Sequence, residues 1–289
     1  MNCKEIVAPM IARVVVCVLF ILKKHGGMLN FYLWLIVQIV LESLPVSSSG
    51  HLYLLEKIIE KNGLFLPALL QDPITYKKIS FFIHAPMVVI IALFFFEQWW
   101  FLFKNIFSCY RQVLKLGIYV AVANSATISM YGLWHVIRVP TSIFLPYGFI
   151  ITALALASLY WVPERSQGAT LFTAFIVGLV QGCALLPGIS RLAVTYVVSR
   201  WLGLSYKRAF EFSFAIQFPL IALASFYGLV TMPPLARVLL FSWQSMFVMI
   251  CASIGSYMLL KWGYQKARNN TFQQFAWYMI LPILLSLFI

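Results

Sequence analysis

Apolar residues in this chain form long runs, separated by short breaks rich in proline, glycine and polar side chains. A helix needs about 20 apolar residues to cross the hydrocarbon core of a bilayer. The pattern predicts roughly eight such segments, near residues 6–22, 79–103, 116–135, 143–161, 170–186, 212–231, 238–260 and 272–289. Because helices satisfy their own backbone hydrogen bonds in lipid, we predict an all-α polytopic membrane protein.

The composition strengthens this prediction and excludes a soluble domain. Of the 289 residues, 62% are hydrophobic and 10% are charged, so the apolar surface exceeds what one soluble core could hide. The net charge of +13 is spread over short loops, which indicates topology signals and lipid-headgroup contacts rather than nucleic-acid binding. The five cysteines lie far apart without ligand spacing, and we expect neither a disulfide nor a zinc site.

The chain divides into a short leading part and one membrane domain. We interpret residues 1–27 as an N-terminal extension or an extra helix, because no small-residue cleavage site follows their apolar run. Residues 28–289 are predicted to form a single domain of two pseudo-symmetric halves, about 28–140 and 141–289.

A weak internal repeat relates these halves. Residues 37–48 resemble 180–190, since each stretch runs from a Gln through apolar residues to Leu-Pro followed by hydroxyls. Residues 80–86 resemble 213–219 in the same order. Broken backbone at membrane depth is tolerated only where it is buried in protein or lines a wet cavity. We therefore predict an inverted repeat of transmembrane helices with two re-entrant helical hairpins that meet near the midplane.

The first break follows an acid that lies inside an apolar run. Glu42 is a candidate functional residue because intramembrane acids usually mark functional sites, and Gln38 lies one turn earlier on the same helical face. Serine-rich turns are also common helix caps, but here an acid and a histidine accompany them. We expect this break to cradle an anion on free backbone N–H groups. Its polar residues are Ser47, Ser48, Ser49, Gly50 and His51.

The second break places Arg191 shortly after Gly188 and Ser190. An arginine in the membrane needs an anionic partner, either Glu42 or a substrate phosphate, which its planar fork matches. The surrounding glycine and hydroxyls favour the substrate. Thr195, four residues on, would add a hydroxyl on the same side of the helix.

Other polar residues have simpler explanations. His84 and Gln217 occupy matching repeat positions before a proline, and we favour a structural role for both in a kinked backbone. Glu56 and Glu60 stand beside lysines in what we interpret as a solvated segment.

These motifs resemble the bacitracin-resistance type of undecaprenyl pyrophosphate phosphatase over residues 28–289. The family pattern of Glu or Gln, three residues, Glu, then Leu-Pro-(Val/Ile)-Ser-Ser-(Ser/Thr)-Gly-His-Leu is met by Gln38, Glu42 and residues 44–52. The second pattern, Pro-Gly-x-Ser-Arg-Ser-Gly-x-Thr, is met at Pro187, Gly188, Ser190, Arg191 and Thr195. Three positions depart from the family: Leu192 and Ala193 replace Ser-Gly, and Pro282 replaces Gly.

The resemblance implies a multi-pass enzyme of the bacterial inner membrane that hydrolyses undecaprenyl (polyprenyl) pyrophosphate to the monophosphate and phosphate. This reaction recycles the lipid carrier of cell-wall synthesis and confers bacitracin tolerance. The implied partners are the polyprenyl pyrophosphate lipid and the bilayer, and a homodimer is kept as a hypothesis. A transporter or lipid flippase is the rival interpretation, because such proteins also carry inverted repeats and broken helices.

The resemblance also implies roles for the site residues. Ser48 would be the nucleophile and His51 its base or the acid for the leaving group, with Arg191 neutralising the charge that builds on phosphate. Alternatively, His51 or Glu42 would activate water directly. Glu42 with Gln38 would either hold a divalent cation, Mg²⁺ or Ca²⁺, or handle a proton. Substrate would be bound by Gln38, Ser47, Ser49, Gly50, Gly188, Ser190 and Thr195.

Overall fold

The computed structural model describes residues 27–63, 66–137 and 141–288, and within these ranges the chain folds into helices without a β-strand. The helices are α1 (Gly27–Leu41), α2 (Ser48–Lys61), α3 (Pro73–Phe82), α4 (Ala85–Phe94), α5 (Phe96–Lys104), α6 (Tyr110–Ile137), α7 (Thr141–Ser158), α8 (Leu171–Cys183), α9 (Arg191–Trp201), α10 (Tyr206–Thr231), α11 (Pro234–Leu240), α12 (Trp243–Arg268), α13 (Phe275–Tyr278) and α14 (Ile280–Phe288). The predicted extension, apart from residue 27, lies outside the described residues.

Five segments of the described chain are long and apolar enough to cross a membrane. They are Pro73–Phe94, Tyr110–Trp134, Phe144–Trp161, Tyr206–Thr231 and Trp243–Arg268. Large apolar side chains point outward from these segments, for example Leu154 and Leu223, which are 65% and 67% exposed. Side chains of this kind suit a hydrocarbon environment, and the chain is a multi-pass membrane protein.

Of the roughly eight predicted spans, the one near 6–22 lies outside the described residues and five overlap the segments above, whereas the predictions at 170–186 and 272–289 were wrong. The segment predicted at 170–186 contains only the 13-residue α8, which ends at Cys183 before the Pro-Gly break. The segment predicted at 272–289 is divided into a 3₁₀ helix, Phe272–Gln274, followed by α13 and α14. A hydropathy average over many residues does not detect such interruptions, because it measures side-chain polarity and not where the helical hydrogen bonds of the backbone end.

Two helical hairpins carry the breaks identified in the sequence. The α1–α2 hairpin joins helices of 15 and 14 residues, and the α8–α9 hairpin joins helices of 13 and 11 residues. At ~1.5 Å per residue no arm is longer than ~23 Å, which is less than a ~30 Å hydrocarbon core. Each arm is therefore too short to cross the bilayer. That the hairpins are re-entrant stays a prediction.

The order of elements after the two hairpins is similar. Each hairpin is followed by a long apolar segment, then a short helix, α5 or α11, and then another long helix, α6 or α12. The first long segment is divided between α3 and α4 at His84, whereas α10 continues through Pro219. The repeated order agrees with the internal sequence repeat, and the inverted orientation of the halves stays a prediction.

Small residues allow α6 to pack closely against α8. A Cβ atom on Gly178 would lie 2.2 Å from the Ala123 carbonyl oxygen, so this position requires glycine. The Thr127 hydroxyl donates to the Gly178 carbonyl at 2.9 Å across the same contact. Small residues and interhelical hydroxyl bonds of this kind hold helices together in lipid, where burial alone provides little driving force. The contact fixes one arm of the second hairpin to a spanning helix.

Candidate active site

The turn of the first hairpin places Glu42 directly after α1 and Ser48 at the start of α2. Between them, Ser47 adopts a left-handed backbone conformation with φ of 64°, which is uncommon for a residue other than glycine. The Ser47 hydroxyl accepts a hydrogen bond from the Gly50 backbone N–H at 3.3 Å and so caps α2. This turn aims both the carboxylate and the Ser48 hydroxyl toward the same space.

Thr152 of α7 holds the turn of the second hairpin. Its hydroxyl donates to the Gly188 carbonyl at 2.8 Å and accepts from the Ser190 backbone N–H at 2.9 Å. Gly188 has φ of 85°, a region that favours glycine. The Ser190 hydroxyl accepts from the Ala193 N–H at 3.3 Å and caps α9, whose first residue is Arg191. The Arg191 side chain therefore leaves from a tightly fixed helix start.

The two turns touch each other beside α7. A Cβ atom on Gly50 would lie 2.9 Å from the Gly188 Cα atom. A Cβ atom on Gly148 would lie 2.2 Å from the Pro187 carbonyl oxygen. Backbones approach this closely only where side chains are absent. This contact brings the Glu42 and Arg191 segments, which are far apart in sequence, to one place.

The Glu42 carboxylate lies at the centre of the resulting site. Oε2 accepts a hydrogen bond from the Ser48 hydroxyl at 2.5 Å, and Oε1 accepts from the Gln217 amide nitrogen at 3.3 Å. Arg191 Nη1 lies 3.9 Å from Oε1, and His84 Nδ1 lies 3.7 Å from the same oxygen. The prediction that the two breaks bring a carboxylate and a guanidinium together is confirmed.

A cavity opens over this carboxylate between the hairpins. Its lining residues are Gln38, Leu41, Glu42, Leu44, Ser47, Ser48, Ser49, Leu52, Tyr76, Ser80, Phe81, His84, Ala184, Ile189, Ser190, Arg191, Leu192 and Gln217. The lining combines polar and apolar side chains. Among these lining residues, only Glu42 and Arg191 are Asp, Glu, Lys or Arg.

Three residues expected to bind substrate do not line the cavity. Gly50 and Gly188 lie where the turns touch, so they shape the site through the backbone. Thr195 is fully buried, and its hydroxyl donates to the Arg191 carbonyl at 2.8 Å, one turn back along α9. Hydroxyls on helices commonly make this local bond. Thr195 therefore contacts the backbone of Arg191 rather than the cavity.

His51 also lies behind the cavity rather than in it. Its Nδ1 is 2.8 Å from the Ser47 carbonyl, which can only accept, so Nδ1 carries the proton. Nε2 then accepts from the Tyr278 hydroxyl at 3.0 Å. Both ring nitrogens are engaged with these two partners, and the expected role of His51, as the base for Ser48 or the acid for the leaving group, stays a prediction. The neighbour that accepts the Ser48 hydrogen bond is Glu42.

Comparison with known proteins identifies the family. Residues 32–284 match the family model described as Bacitracin resistance protein BacA. The chain belongs to this family. It is 30% identical over 261 residues to an undecaprenyl-diphosphatase from Treponema denticola, covering 84% of this chain and 90% of that protein. It is 26% identical over 252 residues to undecaprenyl-diphosphatase 4 from Bacillus cereus (strain ZK / E33L), with the same coverage.

Two residues of this BacA-family site were assigned a structural role from the sequence. His84 lies at the break between α3 and α4, and Gln217 lies within α10, and both line the cavity beside Glu42. The sequence contained an indication of a role at the site, because both are polar residues inside apolar segments at matching repeat positions. The adjacent prolines favoured the structural explanation, which the contacts with Glu42 correct.

Glu56 is another position where the structure differs from the sequence interpretation. Rather than being fully solvated, its Oε1 atom accepts hydrogen bonds from Trp34 Nε1 at 2.8 Å and from the Tyr76 hydroxyl at 2.6 Å. Tyr76 also lines the cavity. Glu56 therefore joins α1, α2 and α3 next to the site. Glu60, one turn further along α2, is exposed and pairs with Lys57, as expected of a solvated position.

Two of the three departures from the BacA-family pattern, Leu192 and Ala193, directly follow Arg191 in the chain. Leu192 lines the cavity and is 3% exposed, whereas Ala193 is fully buried. The Ala193 N–H still bonds to the Ser190 hydroxyl, so the helix cap does not depend on a serine or glycine at these positions. The replacement makes the wall beside the guanidinium apolar.

The donor set around Glu42 fits a divalent cation of the Mg²⁺ type. Within the described part of the chain no group of three His, Cys, Asp or Glu side chains gathers, so a site made only of such ligands is not formed there. Mg²⁺, however, commonly takes one or two carboxylates and completes its shell with substrate phosphates and water. Here the Gln217 amide nitrogen lies 3.3 Å from the one carboxylate, and Gln38 lines the same cavity. The Oε1 atoms of both amides are buried and have no hydrogen-bond partner among the described residues.

Proposed function

We propose that this chain hydrolyses undecaprenyl pyrophosphate, or a related polyprenyl pyrophosphate, to the monophosphate and inorganic phosphate. One observation carries the proposal: the Ser48 hydroxyl donates to Glu42 at 2.5 Å in a cavity that also holds Arg191, 3.9 Å from the same carboxylate. A nucleophile, a base and a phosphate-binding cation are thereby brought together. Membership of the BacA family and the printed names of its undecaprenyl-diphosphatase relatives support this chemistry.

In the first step, Ser48 Oγ attacks the terminal phosphorus while its proton passes to Glu42. The bond from that phosphorus to the bridging oxygen breaks, and the polyprenyl monophosphate leaves with the electron pair. In the second step, water attacks the phosphoserine and Glu42 returns its proton to the serine oxygen. The released dihydrogen phosphate carries both protons of the water. A single carboxylate thus serves both steps, as base and then as acid.

Arg191 supplies the positive charge that this reaction needs. Negative charge is shared among the phosphate oxygens during phosphoryl transfer, and preorganised donors stabilise it. The Arg191 side chain leaves from the capped N-terminus of α9, so the point from which it reaches into the cavity is set before substrate arrives. Its distance of 3.9 Å from Glu42 exceeds hydrogen-bond length, which leaves its donors for phosphate.

A divalent cation, Mg²⁺ or Ca²⁺, belongs to this proposal as well. Glu42 and Gln38 would hold it, and it would neutralise phosphate oxygens and orient the pyrophosphate. The site offers one arginine against the several negative charges of a pyrophosphate, so an additional cation improves the charge balance.

The apolar part of the cavity suits the first units of a polyprenyl chain. Its apolar lining residues include Leu41, Leu52, Phe81, Ile189 and Leu192. A cavity between the helices of a multi-pass protein would let the tail remain in lipid while the pyrophosphate enters it. The activity would recycle a lipid carrier in the bacterial inner membrane, and a homodimer remains the proposed assembly.

Phosphate release from a C15 or C55 pyrophosphate by purified protein tests the proposal. Wild type should release phosphate, and Arg191→Ala should lower the rate by ~10²-fold or more. Arg111→Ala, at an exposed position on α6, is the matched control and should keep the wild-type rate. A wild-type rate no higher than that of Arg191→Ala would refute the enzyme and leave a transporter or flippase as the interpretation.

A further inference from the structure

Two buried amide groups in the cavity have oxygens without a partner in the part of the chain that the structure describes. Gln38 is 5% exposed and Gln217 is 2% exposed, and the Oε1 atom of each makes no hydrogen bond to a described residue. Both side chains line the cavity, on opposite halves of the sequence. Leaving a buried polar oxygen unpaired costs about 1–3 kcal/mol. Such atoms at a site edge therefore indicate a ligand that they bind.

We infer that Gln217 is a ligand of the divalent cation, so that the cation is shared between both halves of the protein. The inference rests on the proposed function, since it concerns the cation that assists hydrolysis. The protein ligands would be the Glu42 carboxylate, the Gln38 carbonyl oxygen and the Gln217 carbonyl oxygen. Carboxylate and carbonyl oxygens are the ligands that Mg²⁺, Ca²⁺ and Mn²⁺ prefer.

The contacts of Gln217 agree with this role. Its amide nitrogen lies 3.3 Å from Glu42 Oε1. Rotation of the amide about its last bond exchanges oxygen and nitrogen, and places the carbonyl oxygen beside the carboxylate. Two oxygens held next to each other in this way form one edge of a coordination shell. The amide therefore can bind the carboxylate through nitrogen without a cation and the cation through oxygen with it.

Gln38 is arranged similarly on the other side of the carboxylate. Its amide nitrogen lies 3.5 Å from His84 Nδ1, which leaves its oxygen free. His84 Nδ1 is itself 3.7 Å from Glu42 Oε1, so the imidazole faces the same point. Arg191 is the one charged group there that would repel a cation, and a bound phosphate would draw it away from Glu42.

Gln181 offers a matched control within the same fold. It is the counterpart of Gln38 in the internal repeat, is 1% exposed and also has an unpaired Oε1 atom. Its amide nitrogen bonds to Asn124 and Thr127, and it does not line the cavity. Replacing Gln181 removes a buried amide without touching the cavity. Comparing the two positions separates a cation ligand from a buried amide that only supports packing.

Binding of Mn²⁺ to purified protein in detergent, followed by the electron paramagnetic resonance signal of free Mn²⁺, tests the inference. Wild type should bind Mn²⁺ saturably in competition with Mg²⁺. Gln217→Ala should weaken that affinity about tenfold, whereas Gln181→Ala should not change it. Gln217→Glu, which has the same shape and adds a second carboxylate, should bind Mn²⁺ more tightly than wild type.

Several results would overturn the inference. These are no saturable Mn²⁺ binding by wild type, wild-type affinity in Gln217→Ala, equal weakening in Gln181→Ala, and Gln217→Glu that binds no more tightly than Gln217→Ala. Phosphate release measured on the same samples keeps the two proposals apart. If wild type hydrolyses the substrate but Gln217→Ala binds Mn²⁺ with wild-type affinity, only the assignment of Gln217 as a ligand is refuted. If Gln217→Ala weakens Mn²⁺ binding but wild type releases no phosphate, only the proposed function is refuted.

Discussion

The Ser48 hydroxyl donates to the Glu42 carboxylate at 2.5 Å across the turn of the first hairpin. The two residues are six positions apart, and the left-handed conformation of Ser47 brings them together. A short hydrogen bond to an ionised acceptor is among the stronger ones in proteins. It holds the serine in the orientation from which its proton can leave.

Removing either member of this pair should abolish most of the activity. Glu42→Gln keeps a hydrogen-bond acceptor but removes the base, and Ser48→Ala removes the nucleophile. Each should lower the rate of phosphate release by about 10²–10⁴-fold while melting temperature stays close to wild type. Glu97→Gln, at an exposed site on α5, serves as control. Near-normal turnover in either variant would remove that residue from the mechanism.

His51 should act through position rather than by proton transfer. Its imidazole links the Ser47 carbonyl to the Tyr278 hydroxyl, so His51→Ala should disturb the turn and lower both stability and turnover. His51→Asn retains an N–H that can reach the Ser47 carbonyl and should recover part of the rate. Thermal unfolding and phosphate release would be measured together. Equal loss of activity in the Ala and Asn variants, with wild-type stability in both, would argue for a chemical role.

Gly148 should tolerate no side chain. A Cβ atom there would lie 2.2 Å from the Pro187 carbonyl oxygen, and since both are backbone-bound atoms, the second hairpin would have to move. We expect Gly148→Ala to destabilise the protein by ~3 kcal/mol and to lower activity by displacing Arg191. In the control, Gly117→Ala on α6, the added Cβ meets nothing within 4 Å and stability should be unchanged or slightly higher. Similar unfolding of both variants would show that the close contact is not maintained.

Glu56 should stabilise the wall of the cavity through Tyr76. Glu56→Ala leaves Trp34 Nε1 and the Tyr76 hydroxyl without their acceptor, at a cost of about 1–3 kcal/mol for each buried donor. Glu56→Gln keeps an acceptor oxygen and should restore most of the stability and the substrate KM. Glu60→Ala, exposed on the same helix, should have little effect. Thermal unfolding and KM would be compared, and a Gln variant as impaired as the Ala variant would exclude this supporting role.

The amino-acid pattern alone was enough to predict a helical, multi-pass membrane protein and to locate the two breaks with Glu42 and Arg191. These are local or compositional properties: apolar length sets membrane insertion, and proline, glycine and buried charge mark the breaks. The family motifs follow from the same residues. Hydropathy could not distinguish α8, which is too short to cross the bilayer, from a span.

Which polar side chains share the cavity could not be predicted from the amino-acid pattern and became visible in the fold. His84 and Gln217 face Glu42, whereas His51 turns toward Tyr278 and Thr195 toward its own helix. The direction of each side chain depends on how the hairpins pack against α7 and α10, and that packing is set by contacts between residues distant in sequence. The sequence identifies the polar residues. The packing of the two hairpin turns determines which of their side chains line the same cavity.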